Sequence, residues 1–134
     1  IETSINNKSI NNHEGDGFII STPTGSTAYS LSCGGPIMKP DVEAFLLVPI
    51  APHTLNDRPM VLPSSSEIIL RLNENQTDKV GIDIDGDTIS ELKPGQELLI
   101  RKAEKTVSLL HPENYDYFDN LKSKLLWGLD KRND

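Results

Sequence analysis

Short apolar runs recur along the whole chain, and a turn residue closes each one before it reaches helical length. Phe18-Ile19-Ile20, Phe45 to Ile50, Met60-Val61-Leu62 and Ile68 to Leu72 are of this kind. Runs of that length, bounded by Gly, Pro, Asn or Ser, form strands. Val80, Ile82 and Ile84 alternate with other residues up to Asp85-Gly86, and Thr88-Ile89 follow. Asp-Gly between alternating apolar positions predicts a hairpin, because both turn positions take positive φ. Ile1, Ile5 and Ile10 predict a weaker hairpin, with Asn6-Asn7 and Asn11-Asn12 as turn punctuation. Pro49 places the end of the Phe45 run near a sheet edge. Glu97 to Arg101 and Thr106 to Leu110 are expected to pair with each other. Helical spacing appears late, at Phe118, Leu121 and Leu125, with Leu126 and Trp127 widening the stripe. Gly128 ends it, and residues 129–134 read as a fraying polar end. The expectation is a mainly β, two-layer β-sandwich-like domain with a short internal helix and a C-terminal helix.

The chain has 134 residues, which fits one domain spanning 1–134, with 112–134 as helix and tail. Cys33 is its single cysteine, so no internal disulfide forms and a reducing cytoplasm is expected. No apolar run is long enough to span a membrane. The start, Ile1-Glu2-Thr3-Ser4, lacks a signal-peptide pattern and an initiator Met, so a fragment or processed product is expected. A net charge of −7 argues against nucleic-acid and anionic-membrane partners, which need clustered Lys and Arg. It leaves room for a small anionic ligand held by backbone N–H groups.

Gly15 to Pro36 reads G-D-G-F-I-I-S-T-P-T-G-S-T-A-Y-S-L-S-C-G-G-P. An apolar strand leads into small hydroxylated residues, a helix start near Thr27 and a glycine pair. Hydroxyls can bond sugars and amides, and the glycines let a ligand approach the backbone. A helix start offers free N–H groups, and Tyr29 offers a flat face. The plainer alternative is a capped strand-to-helix turn with Ser26 or Thr24 as N-cap. A P-loop needs a Lys after its last Gly and a Rossmann fingerprint needs Gly where Ile20 stands, so neither template fits.

This segment, from Asp16-Gly17 through Ser21-Thr22-Pro23-Thr24-Gly25-Ser26-Thr27-Ala28-Tyr29-Ser30-Leu31-Ser32 to Gly34-Gly35-Pro36, resembles the hallmark loop of the NAD kinase family. Pro49-Ile50, Pro52-His53, Leu55, Arg58-Pro59, Val61, Pro63 and the Asp85-Gly86 turn fit the same pattern, so the resemblance covers about Gly15 to Leu110. It implies phosphoryl transfer from ATP, or polyphosphate, to the 2′-hydroxyl of the NAD adenosine ribose, with Mg²⁺ or another divalent metal. It implies a cytoplasmic homodimer or homotetramer. It also implies two domains: an N-terminal α/β domain whose G-G-D-G Asp is the general base, and a β-rich domain that holds NAD. No G-G-D-G occurs in this chain, nor the N-E or N-D pair that precedes the loop. The chain is therefore expected to match the second domain alone, to carry no catalytic residue of its own, and to be inactive by itself.

Carried over by resemblance, Thr27, Ala28 and Tyr29 line the adenine side of NAD. Asp16 bonds the nicotinamide amide, with Ser32 and Thr24 nearby. Asp85 lies near the diphosphate, ribose and metal, and Ala51 of a second subunit closes the pocket. On residues alone, Asp83, Asp85 and Asp87 read first as a hairpin turn; strand alternation puts Asp83 and Asp85 on the same face, where they could share a metal. His13, His53 and His111 read as ordinary surface or loop histidines, and Cys33 as a small core residue. Asn7-Lys8-Ser9 and Asn75-Gln76-Thr77 read as chance glycosylation matches. Two other functions stand beside the kinase reading: a lipid or diacylglycerol-type kinase domain of related fold, and a non-catalytic NAD(P)-sensing module.

Overall fold

The computed structural model describes residues 1–126. Trp127, Gly128 and the polar end at 129–134 lie outside the described residues. The chain divides into two compact units, Ile1–Ala103 and Glu104–Asp134.

The first unit holds nine strands in three sheets. β1 (Glu2–Ile5) and β2 (Lys8–Asn12) form the expected hairpin, with Asn6 and Asn7 at φ 50° and 64° in its turn. Asn11 and Asn12 are not turn residues: they pair with Thr3 and Glu2, so β2 runs through the predicted punctuation and ends at Asn12. β1 also pairs with β6 (Ile68–Arg71), and β6 pairs with β9 (Glu97–Ile100), giving the order β2-β1-β6-β9. Thr106 to Leu110 forms no strand. Its expected partner, β9, is taken by β6 in a register that sets Ile68 opposite Ile100 and Leu70 opposite Leu98. That pairing adds Leu98 and Ile100 to an apolar cluster.

β3 (Gly17–Ser21), β4 (Ala44–Ile50) and β5 (Met60–Pro63) form the second sheet, with β4 central. Pro49 opposes Phe18 of β3 but lies beyond the last β5 partner, Leu47 opposite Met60. A proline is tolerated there because that flank demands no N–H. β4 is buried on both faces. Phe45 and Leu47 join Ile68 and Leu70 with Ile20 and Leu62, which packs the two sheets face to face. Ala44, Leu46 and Val48 point the other way and meet Met38, Ile19 and Cys33. The strand period of two thus assigns alternate residues of one strand to two cores. Leu46 is fully buried. Leu46→Ala is expected to lower stability by about 2–5 kcal/mol, the range for truncating a packed leucine. A urea midpoint matching the parent's would refute this.

The third sheet is a hairpin of β7 (Val80–Ile84) and β8 (Asp87–Leu92). Asp85 and Gly86 turn it at φ 51° and 96°, as the Asp-Gly signal requires. Two exposed polar links finish this unit: Lys102 pairs with Glu43, and the Ser64 hydroxyl donates to Glu43 at 2.8 Å. The hydrogen bond from Lys102 and then that from Ser64 hold the Glu43 carboxyl below its usual range. An exposed pair of this kind contributes little to stability.

In the second unit, α2 (Tyr117–Leu125) begins where the Asp116 carboxylate accepts the Asp119 N–H at 2.9 Å. Leu126 closes it in the left-handed conformation, at φ 55°. Lys122 and Lys124 lie in the last turn, where cations suit the helix dipole.

Candidate functional site

After β3, the chain makes a 3-10 turn, Thr24–Thr27, breaks at Ala28, and makes one turn of helix, α1 (Tyr29–Ser32). The expected single helix start near Thr27 is therefore replaced by two short turns. The Ala28 N–H, expected to be free for a ligand, donates to the Gly25 carbonyl at 3.0 Å. The capped-turn alternative also fails in its details. Pro23 stands at the N-cap of the 3-10 turn and Ala28 at that of α1, and neither Ser26 nor Thr24 caps through its side chain.

The hydroxyls of this segment divide sharply. Ser26 and Ser30 are buried. The Ser26 hydroxyl donates to the Pro23 carbonyl at 2.6 Å and accepts the Met38 N–H at 2.9 Å. The Ser30 hydroxyl lies 3.0 Å from the Gly25 carbonyl and 3.1 Å from that of Ser26. These two serines knit the loop to itself and to the segment before β4. Thr24, Thr27, Ala28, Tyr29 and Ser32 face outward instead, and Tyr29 is 61% exposed. One pair of residues builds the scaffold, and the interleaved set is left available. Ser26→Ala removes both of its bonds from a buried site and is expected to cost about 1–3 kcal/mol. Chemical denaturation measures it, and an unchanged midpoint would contradict the scaffold role.

Cys33 caps α1, and Gly34, whose N–H donates to the Leu31 carbonyl at 3.0 Å, and Gly35 follow. A Cβ on Gly35 would come within 2.8 Å of the Ser30 carbonyl oxygen, 3.1 Å of Val48 and 3.3 Å of Leu46. Gly35 thus serves close packing of the loop onto β4, while Gly34 turns the chain at φ 83°.

Asp16 and Ala51 sit at the other end of the β3/β4 pair. The Asp16 N–H donates to the Ile50 carbonyl at 3.0 Å, and the His53 N–H donates to the Glu14 carbonyl at 2.9 Å. Both residues are exposed, and Ala51 holds φ at 44°. β3 has five residues, so it spans roughly 16 Å. Asp16 and the Thr24–Tyr29 segment are therefore separated on the scale of an extended dinucleotide.

Asp85 is not brought to either cluster by hydrogen bonding: it tips the β7–β8 hairpin, which is bonded to neither other sheet. Asp83 accepts the Thr88 hydroxyl at 2.6 Å, while Asp85 lies in the turn and not on the strand. The ladder slips between Ile82 and Asp83 through an extra residue on β8, Ile89, which lies before both carboxylates; it is the turn at Asp85, with φ 51°, that takes this residue out of the strand alternation. Among the described residues, no three His, Cys, Asp or Glu side chains converge as a metal cradle. Asp85 makes no hydrogen bond among the described residues, and a carboxylate in that state suits a Mg²⁺ ion held mostly by phosphate oxygens.

Sequence reading missed one buried pair. His13 is 2% exposed, not a surface histidine, and its Nδ1 pairs with the Asp57 carboxylate. No local motif announces a contact between residues so far apart in sequence.

Residues 1–111 match the family model described as ATP-NAD kinase C-terminal domain. An NAD kinase of Pseudoalteromonas translucida is 46% identical over 127 residues, covering 95% of this chain and 43% of that protein. One of Sulfurimonas denitrificans is 49% identical over 128 residues, covering 96% of this chain and 44% of that protein. Among solved structures, yeast NADH kinase complexed with NADH matches with a TM-score of 0.85 and 30% identity, over 99% of this chain and 41% of that one. An NAD kinase from Archaeoglobus fulgidus in complex with ATP matches with a TM-score of 0.66 and 29% identity, over 77% of this chain and 39% of that one. The chain spans less than half the length of each of these relatives.

Proposed function

The chain belongs to the NAD kinase family, and from that premise we propose that it is the NAD-holding domain of an enzyme that phosphorylates the 2′-hydroxyl of the NAD adenosine ribose. The observation that carries this reading is the division of the hallmark loop. Ser26 and Ser30 are consumed by the scaffold, while Thr24, Thr27, Ala28, Tyr29 and Ser32 are presented outward. In this reading Tyr29 stacks on the adenine, with Thr27 and Ala28 beside it. Asp16, one strand length away, accepts from the nicotinamide amide, while Ser32 and Thr24 contribute hydroxyls from the loop end of β3. Ala51 of a second subunit closes the pocket in a homodimer or homotetramer, and the working compartment is the cytoplasm.

ATP is the proposed phosphoryl donor, supported by the ATP complex of the Archaeoglobus fulgidus relative. Mg²⁺, when bound through phosphate oxygens and the Asp85 carboxylate, supplies charge neutralisation for in-line transfer. The residues of this chain bind and orient NAD so that its 2′-hydroxyl faces the donor. None of them is assigned the proton of that hydroxyl, since the G-G-D-G motif does not occur here. These 134 residues by themselves are therefore expected to form no NADP above background with ATP and Mg²⁺. A coupled assay showing NADP formation at the rate of a complete NAD kinase would overturn that division of labour.

The relatives reported above are NAD kinases, which does not favour the lipid-kinase alternative. Calorimetric titration separates the two. NAD should bind saturably and diacylglycerol micelles should not; the opposite pattern would reject the proposal.

A further inference from the structure

We propose that the His13–Asp57 pair is a positioning device that locks the turn carrying Asp16 to the loop after β4, and so fixes Asp16 at the nicotinamide end of the NAD site. The proposal rests on the NAD-holding reading given above.

The loop after β4 has little else to hold it. Leu55 is 86% exposed, and His53, Thr54 and Asn56 are exposed too. Asp57 is the exception: its side chain is buried, one oxygen pairing with His13 and the other accepting the Asn11 amide at 3.1 Å. Both partners lie at the end of β2, just before the turn that delivers Asp16. The His13 ring leans on Phe18 at 5.3 Å, and its Nε2 has no hydrogen-bond partner among the described residues. Asp57 is thus the polar anchor of a buried imidazole, and the imidazole is in turn an anchor of the loop.

What the anchor restrains is a conformation that would otherwise relax. Ala51 sits at φ 44°, a left-handed geometry that a non-glycine residue keeps only when its surroundings impose it. Two backbone bonds at the loop's start, Asp16 N–H to Ile50 and His53 N–H to Glu14, share the task with the buried pair at its end. With Asp57 truncated, the loop between β4 and β5 would lose its buried polar tie to Asn11 and His13. The turn carrying Asp16 would lose that support, while the Thr24–Tyr29 segment, anchored by Ser26 and Ser30, would keep its own.

That asymmetry makes the proposal testable. Affinities for NAD and for ADP-ribose, which lacks the nicotinamide, are measured by calorimetry for the parent, Asp57→Ala, His13→Ala and His13→Gln. NAD binding should weaken on the order of tenfold in the two alanine variants, as misplacement of a supporting contact does. ADP-ribose affinity should stay within roughly twofold. His13→Gln, which can still donate to Asp57, should recover most of the loss. Equal losses for both ligands, or no loss for either, would overturn the proposal. If the parent binds neither ligand, the NAD-holding reading fails instead. Amide exchange over residues 51–57 then decides the positioning claim: faster exchange in Asp57→Ala supports it, and unchanged exchange refutes it. Asp57→Asn, which keeps the side-chain size, replaces Asp57→Ala if the latter does not fold.

Discussion

Tyr29→Ala is expected to weaken NAD binding by about one to two orders of magnitude, since stacking of a base on an aromatic ring contributes about 1–3 kcal/mol. The thermal midpoint should hardly move. At 61% exposure, Tyr29 gives up little packing when truncated, and the loop's internal bonds come from Ser26 and Ser30. Tyr29→Phe should bind NAD nearly as well as the parent, because the stacking face survives. Calorimetry and a melting curve on the same samples check both halves. A large drop in the midpoint with unchanged NAD affinity would mean that Tyr29 is a packing residue and that the exposed face of the loop does not hold adenine.

Gly35→Ala should do the reverse. Its added Cβ would stand 2.8 Å from the Ser30 carbonyl oxygen, which is backbone, and 3.1 Å and 3.3 Å from Val48 and Leu46 in the core. Neither obstacle is the end of a flexible side chain. Relief requires lifting the loop off β4, at a cost of about 1–3 kcal/mol for overpacking of this kind. Ser30 would move with it, taking along the bonds that reach the carbonyls of Gly25 and Ser26. Stability and NAD affinity should therefore fall together, in contrast to Tyr29→Ala. A denaturant midpoint equal to the parent's would show that the loop can sit higher on the sheet without penalty.

The strands were readable because their signals are local. Asp85-Gly86 and Asn6-Asn7 each carry their own turn chemistry, and both hairpins form there. Partner choice was not readable in the same way. Glu97 to Ile100 looks as suited to Thr106 to Leu110 as to β6. Only the burial gained beside Ile68 and Leu70 selects β6. At the site, the density of Ser, Thr and Gly marked the right segment. The split between buried Ser26 and Ser30 and exposed Thr24 and Thr27 did not follow, because hydroxyls of equal chemistry are sorted by the path of the backbone. The alternation that was to set Asp83 and Asp85 on one face stops at Ile84, because Asp85 lies in the turn at φ 51°. His13 and Asp57 meet across the fold, and no spacing rule reaches that far.

The most direct measurement is a two-dimensional amide NMR titration of the chain with NAD, which locates even weak binding residue by residue. Shifts are predicted to cluster at Thr24 to Ser32 and, one strand length away, at Asp16 and Ala51. The β1–β2 hairpin turn should stay silent. A folded chain whose spectrum does not respond to NAD, or responds only away from those two clusters, would contradict the assignment of this loop as the seat of the dinucleotide.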